Sequence, residues 1–173
     1  MKYFVAGVIA WLLAILDVAA MPYVQPLGVS PDLVLIFAVI WAVTRGEDEG
    51  LVIVPLIGLI QDLTTSDPIG TSVLGLAPAV PIALAVRMRA LESQFLPTIA
   101  AVMATSACYG VISTSVLWAT GQEIAVFHTL FRVIVPSIII NALFTPIIYM
   151  PMSWFAPRQT AWLRSSARLP STL

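Results

Sequence analysis

Residues 58–70 read GLIQDLTTSDPIG. An apolar run ends on Asp62, a short polar turn follows, and Asp67-Pro68-x-Gly70 opens a second apolar run. In a water-soluble protein this would be an ordinary helix end. Here 60% of the residues are hydrophobic, 10% are charged and the mean hydropathy is +0.99. Such a chain cannot hide its apolar surface from water and must be solvated largely by lipid. The predicted fold class is therefore all-α: a polytopic membrane bundle in which carboxylates such as Asp62 need shielding from hydrocarbon.

The remaining bulk properties narrow the function. A net charge of −1 argues against nucleic-acid binding. The single cysteine, Cys108, excludes an intramolecular disulfide framework and a cysteine-based metal cluster. Lys2 followed by an apolar stretch and VAA at 18–20 has the outline of a signal peptide. The apolar run is also long enough to act as a span, which is the preferred reading.

Six apolar segments are drawn at about 3–21, 31–44, 51–65, 68–86, 95–119 and 126–150, several short or broken by proline, giving one membrane domain over 1–156 and a short basic tail at 157–173. Lys2, Arg45, Arg87, Arg89, Arg158, Arg164 and Arg168 fall on one side of this layout, and the alternate loops 22–30, 64–67 and 120–125 carry no lysine or arginine. The positive-inside rule then places both termini in the cytoplasm. Only Arg132, inside the sixth segment, stands apart. The tail, with Trp162 and Leu163, is expected to lie on the anionic inner leaflet.

Counting residues from the charged turn RGEDEG, 45–50, gives the depth of the acidic groups. At about 1.5 Å per residue, Asp32 and Asp62 lie roughly 17–18 Å from that boundary, and Asp17 lies roughly 20 Å up the first segment. Carboxylates from three segments thus reach similar heights in the outer half of the membrane. Facing lipid there costs at least ~2.5 kcal/mol, so they are expected to face the bundle interior, an outer cavity or a partner. SPD at 30–32 also supports a capping role, with Ser30 as N-cap, Pro31 as the first helical residue and Asp32 in the first turn. Asp67-Pro68 repeats that device. Asp62, at a helix end, is the hardest to explain this way. Arg132 has two readings: snorkelling outward, or a buried ion pair with Asp62 or Asp17.

Ala6, Ala10 and Ala14 share one helix stripe on which another helix could approach closely, either within the bundle or from a partner. Ser106, Gly110 and Thr114 form a second stripe, with Tyr109 beside it, and internal packing is its default role. Pro55, Pro78, Pro81, Pro97, Pro136 and Pro146 are expected to mark helix ends or breaks.

The block from 30 to 77 resembles the rod shape-determining membrane protein MreD family. The matching positions are Pro31 and Asp32 at the start of a short second span, Gly50 after the charged turn, and Gly58, Asp62 and Leu63 in a Gly-x-x-x-Asp-Leu ending. Pro68 and Gly70 complete it as Pro-x-Gly. The length, the six-segment layout and the cytoplasmic ends agree, while outside this block the likeness is one of hydropathy alone. The resemblance implies a non-enzymatic scaffold of the bacterial inner-membrane elongation machinery, without a cofactor. It implies work with MreC, with the actin-like MreB beneath the membrane, with the polymerase RodA and with a class B penicillin-binding protein, in support of peptidoglycan synthesis. The family fold is similar to the S component of energy-coupling-factor vitamin transporters.

Enzyme readings find little support. Paired intramembrane aspartates suggest lipoprotein signal peptidase, but its motifs need asparagine near the aspartates, and the sole asparagine, Asn141, is far from them in the chain. No Gly-x-Gly-Asp motif or phosphate-binding loop occurs, and the sole histidine, His128, sits near an interface. The stronger rival is an S component: in that family a comparable alanine stripe docks the coupling subunit. Against it, the polar residues are mostly acidic and no dense aromatic and amide set outlines a vitamin pocket.

Overall fold

A helix that is apolar on every side needs neighbours on every side. The segment Leu33–Arg45 (α2) has them: residues 33–44 are all buried, with Phe37, Leu35, Ile36 and Ile40 among the largest fully covered side chains. Around it stand α1 (Lys2–Ala19), α3 (Glu47–Thr64), α5 (Ala79–Met88), α6 (Phe95–Ala119) and α7 (Val135–Phe155), all in contact with it. A short α4 (Thr71–Leu76) lies against α3 and α6, a 3-10 turn at Met21–Tyr23 follows α1, and a π-helical turn at Leu130–Ile134 leads into α7. This computed structural model describes residues 2–25, 28–65, 68–88, 94–121 and 129–155, and among them all regular structure is helical. Asp67, Arg89, His128 and the basic tail 157–173 lie outside the described residues.

Three helical stretches, Thr71–Met88, Phe95–Ala119 and Leu130–Trp154, are long and apolar enough to cross a membrane. Tyr3–Ala19 and Leu33–Arg45 are apolar but shorter, and α3 opens on Glu47, Asp48 and Glu49. At about 1.5 Å per residue the 13 residues of α2 cover about 20 Å, less than a hydrocarbon core of about 30 Å. The outer faces stay apolar: Trp11, Leu12, Leu63, Leu143, Ile147 and Trp154 are all exposed. Such surface is stable against lipid tails.

Four of the prolines fall at the start of a helix or between two helices. Pro97 and Pro81 lie in the first turns of α6 and α5, Pro136 is the second residue of α7, and Pro78 occupies the break between α4 and α5. The fourth apolar segment is therefore two helices, with the break at Pro78 where the sequence expects one. Pro55 and Pro146 sit inside continuous helices. At the charged turn, Gly46 adopts φ +102° between α2 and α3, and the Arg45 guanidinium carbon lies 5.0 Å from the Trp41 ring centroid.

Two helix backbones approach closely where α4 meets α3. A Cβ at Gly58 would stand 2.8 Å from Val73 Cα and 3.1 Å from the carbonyl carbon of Ser72, both backbone atoms that cannot swing aside. Gly58→Ala is therefore expected to push α4 off α3 and to destabilise the fold by about 1–3 kcal/mol. Thermal unfolding in detergent checks this, and an unchanged midpoint would show that the two backbones are not in close contact.

Candidate functional site

Helix starts leave backbone N–H groups without partners, and away from water each needs an acceptor. At one end of the bundle the chain meets this need with aspartates. Asp32 caps α2: its Oδ1 accepts from Leu35 N at 2.8 Å. Asp17, from α1, reaches the same start, accepting from Leu33 N through Oδ1 at 3.4 Å. Asp62, 3% exposed near the end of α3, accepts from Gly70 N through Oδ2 at 2.7 Å and from Ser72 N through Oδ1 at 2.8 Å. Asp62 thus holds the start of α4 from the far end of another helix.

The Gly-x-x-x-Asp spacing explains how. Residues four apart share a helix face, so Gly58 and Asp62 both face α4. The glycine admits the backbone at Ser72 and Val73, and the aspartate one turn on receives the Ser72 N–H. Gly70 supplies the φ of +101° required just before α4, and the carbonyl of Pro68 accepts from both Thr71 N at 3.1 Å and Thr71 Oγ1 at 2.7 Å. Pro68, Gly70, Gly58 and Asp62 therefore build one joint.

The sequence reading places the α2 cap at Ser30 and the first helical residue at Pro31; the structure moves the cap to Asp32 and the helix start to Leu33. The reason is a long-range bond. Asn141 on α7 accepts from Asp32 N through Oδ1 at 2.8 Å, and its Nδ2 donates to Ser106 Oγ on α6 at 3.0 Å. Asn141 is distant in sequence but adjacent in space, and it ties α2, α6 and α7 together. Gln61 joins them, its Nε2 lying 3.3 Å from Asp32 Oδ2 and 3.4 Å from Oδ1. A buried amide in an apolar run demands a partner, so the lone Asn141 and Gln61 carried a signal that spacing rules do not use.

Asp17, Pro31, Asp32, Gln61 and Asn141 line an open cavity of about 490 Å³, with α6 and the π-helical turn closing the other side. Asp62, Gly58, Pro68 and Gly70 stand behind it, not in its wall. Two expected features take other forms. Arg132 is exposed on the π-helical turn and, among the described residues, pairs with neither Asp62 nor Asp17. Both Asp62 oxygens are already engaged by α4, which removes the need for a cation there. The stripe Ala6, Ala10 and Ala14 is fully covered, at 0%, 0% and 1% exposure, because α1 lays it against α3 and α2. A partner helix cannot reach it. Ser106 and Gly110 likewise pack inward, and a Cβ at Gly110 would meet Ile134 Cγ1 at 2.8 Å.

The family model of the rod shape-determining protein MreD matches residues 1–158. The chain belongs to the MreD family. It is thus a member of a family of membrane proteins that determine cell shape, and the match extends well beyond the block at 30–77. No curated protein and no solved structure matches the chain. Within this MreD-family chain, the motif positions Pro31 and Asp32 precede α2, Pro68 and Gly70 precede α4, and Gly58 and Asp62, late in α3, face the start of α4.

Removing the Asp62 acceptor should expose the joint. Asp62→Ala leaves the N–H groups of Gly70 and Ser72 unpartnered, at about 1–3 kcal/mol each, and Asp62→Asn, which keeps one acceptor, should lose less. Arg132→Ala should change stability by no more than about 0.5 kcal/mol. Thermal denaturation of the three variants in one detergent checks the order, and a large loss from Arg132→Ala would contradict the observed geometry.

Proposed function

We propose that this chain is a non-enzymatic scaffold subunit of the bacterial rod complex, binding MreC and supporting peptidoglycan synthesis and cell-shape maintenance. The observation that carries the reading is the family match over residues 1–158. The polar side chains support it by their use: the motif carboxylates are spent on backbone N–H groups that hold helices in place, which suits a rigid binding platform. In this reading all six apolar segments cross the inner membrane in an S-component-like bundle, with both termini cytoplasmic, and MreB, RodA and a class B penicillin-binding protein join the larger assembly.

The covered alanine stripe turns the search for the MreC surface to the opposite face of α1. That helix packs only on one side, and Trp11, Leu12, Ile15 and Leu16 are exposed there. A single partner span laid along this face would bury them. The same coverage weakens the transporter alternative, whose coupling subunit would need the alanines.

Affinity purification from membranes in mild detergent tests the reading. MreC should be recovered with the wild-type chain and lost with a Trp11→Ala/Leu12→Ala/Ile15→Ala variant that remains folded, and depletion should turn rods into spheres. Recovery of an ATPase-linked coupling subunit without MreC, or rods that persist after depletion, would refute it.

A further inference from the structure

We propose that the cavity between α1, α3 and α6 is a binding site for a ligand carrying a primary ammonium group. Asp17 and Asp32 both line it, and among the described residues no lysine, arginine or histidine does. The wall these residues form is one-signed, and its occupant should be positive. A second observation is independent of these charges. Gln61, only 6% exposed, turns its amide toward Asp32, and its Oε1 has no hydrogen-bond partner. Thr65 Oγ1 and Ser113 Oγ, from two more stretches of the same wall, are also buried without partners. Buried polar atoms are nearly always satisfied. A group of orphans around one cavity points to something that fills it and donates hydrogen bonds.

The acceptors select the chemistry. A bare metal ion is too small: about 490 Å³ matches on the order of fifteen water molecules at about 30 Å³ each. A guanidinium prefers a carboxylate with both oxygens free for a two-bond fork. Asp17 and Asp32 each commit Oδ1 to a helix-start N–H, and Asp32 Oδ2 already accepts from Gln61 Nε2, so neither carboxylate offers two free oxygens to one fork. A quaternary ammonium has no N–H to give and is held by aromatic cages; among the described residues Tyr109 is the one aromatic in this wall, and its hydroxyl lies 3.1 Å from Ser72 Oγ. A primary ammonium offers three donors on a compact point charge, which suits acceptors converging from separate elements. Its source is either the headgroup of an amino-phospholipid or a soluble amine.

The assignment is independent of the scaffold reading and is tested on the purified full chain without partners. After delipidation, native mass spectrometry is used to titrate phosphatidylethanolamine and phosphatidylcholine of identical acyl chains, and thermal shift is used to titrate ethanolamine. Phosphatidylethanolamine should bind roughly tenfold tighter than phosphatidylcholine, and the double variant Asp17→Asn/Asp32→Asn, which keeps both capping acceptors, should erase that preference. Ethanolamine binding with the same dependence on the two aspartates, without a lipid preference, assigns the site to a soluble amine. Equal binding of both lipids with no response to ethanolamine, or a folded double variant that binds as the wild type does, overturns the proposal. Should the double variant not fold, the wild-type preference between the two lipids, and its competition by ethanolamine, decide the matter alone.

Discussion

The constraint on which the structure turns is that a helix beginning away from water must find acceptors for its first N–H groups. Two helices here, α2 and α4, start in the body of the bundle, and three aspartates from three helices serve them. An aspartate is costly in an apolar setting, yet a carboxylate accepting backbone N–H groups offsets part of that cost by charge-assisted hydrogen bonds and the helix dipole. Pairing it with a buried cation would add a second desolvation cost. That is the physical sense in which Arg132 remains exposed and Asp62 has no use for it.

Short starts have a further consequence. Because α2 covers only about 20 Å, the chain before it must be irregular, and irregular backbone at such a place has to be shielded or line a cavity. The cavity bounded by Pro31 and Asp32 is the result. Asn141 then acts as the clasp: one amide accepts from the Asp32 backbone and donates to Ser106, so three helices are fixed at one height by a single side chain.

Much of this was legible in the sequence. The all-helical fold was, the run 95–119 reappears as Phe95–Ala119, and the second apolar segment begins as a helix two residues later than drawn, at Leu33. Depth counting from the charged turn brings Asp17, Asp32 and Asp62 to one end of the bundle, because helical rise is nearly constant. What stayed hidden depends on rotation and on partners. The alanine stripe announces that something approaches closely without saying what, and α3 of the same chain turned out to be the neighbour. Asn141 lies 109 residues from Asp32, and no local pattern links them. The π-helical turn at Leu130–Ile134 is a backbone adjustment set by packing, such as Ile134 lying against Gly110.

The motif by which the chain resembles its family gains a physical meaning from this geometry. Gly58 and Asp62 occupy successive turns of one helix face: the glycine lies against the backbone of Ser72 and Val73, and the aspartate accepts from the N–H groups of Gly70 and Ser72. Either residue alone would fail. A larger side chain at 58 would hold α4 too far away for Asp62 to reach, and without Asp62 the close approach would trap unpartnered N–H groups in an apolar contact. Gly70 completes the set by turning the chain into α4 with a conformation that side chains disfavour. Such a motif encodes a joint between helices.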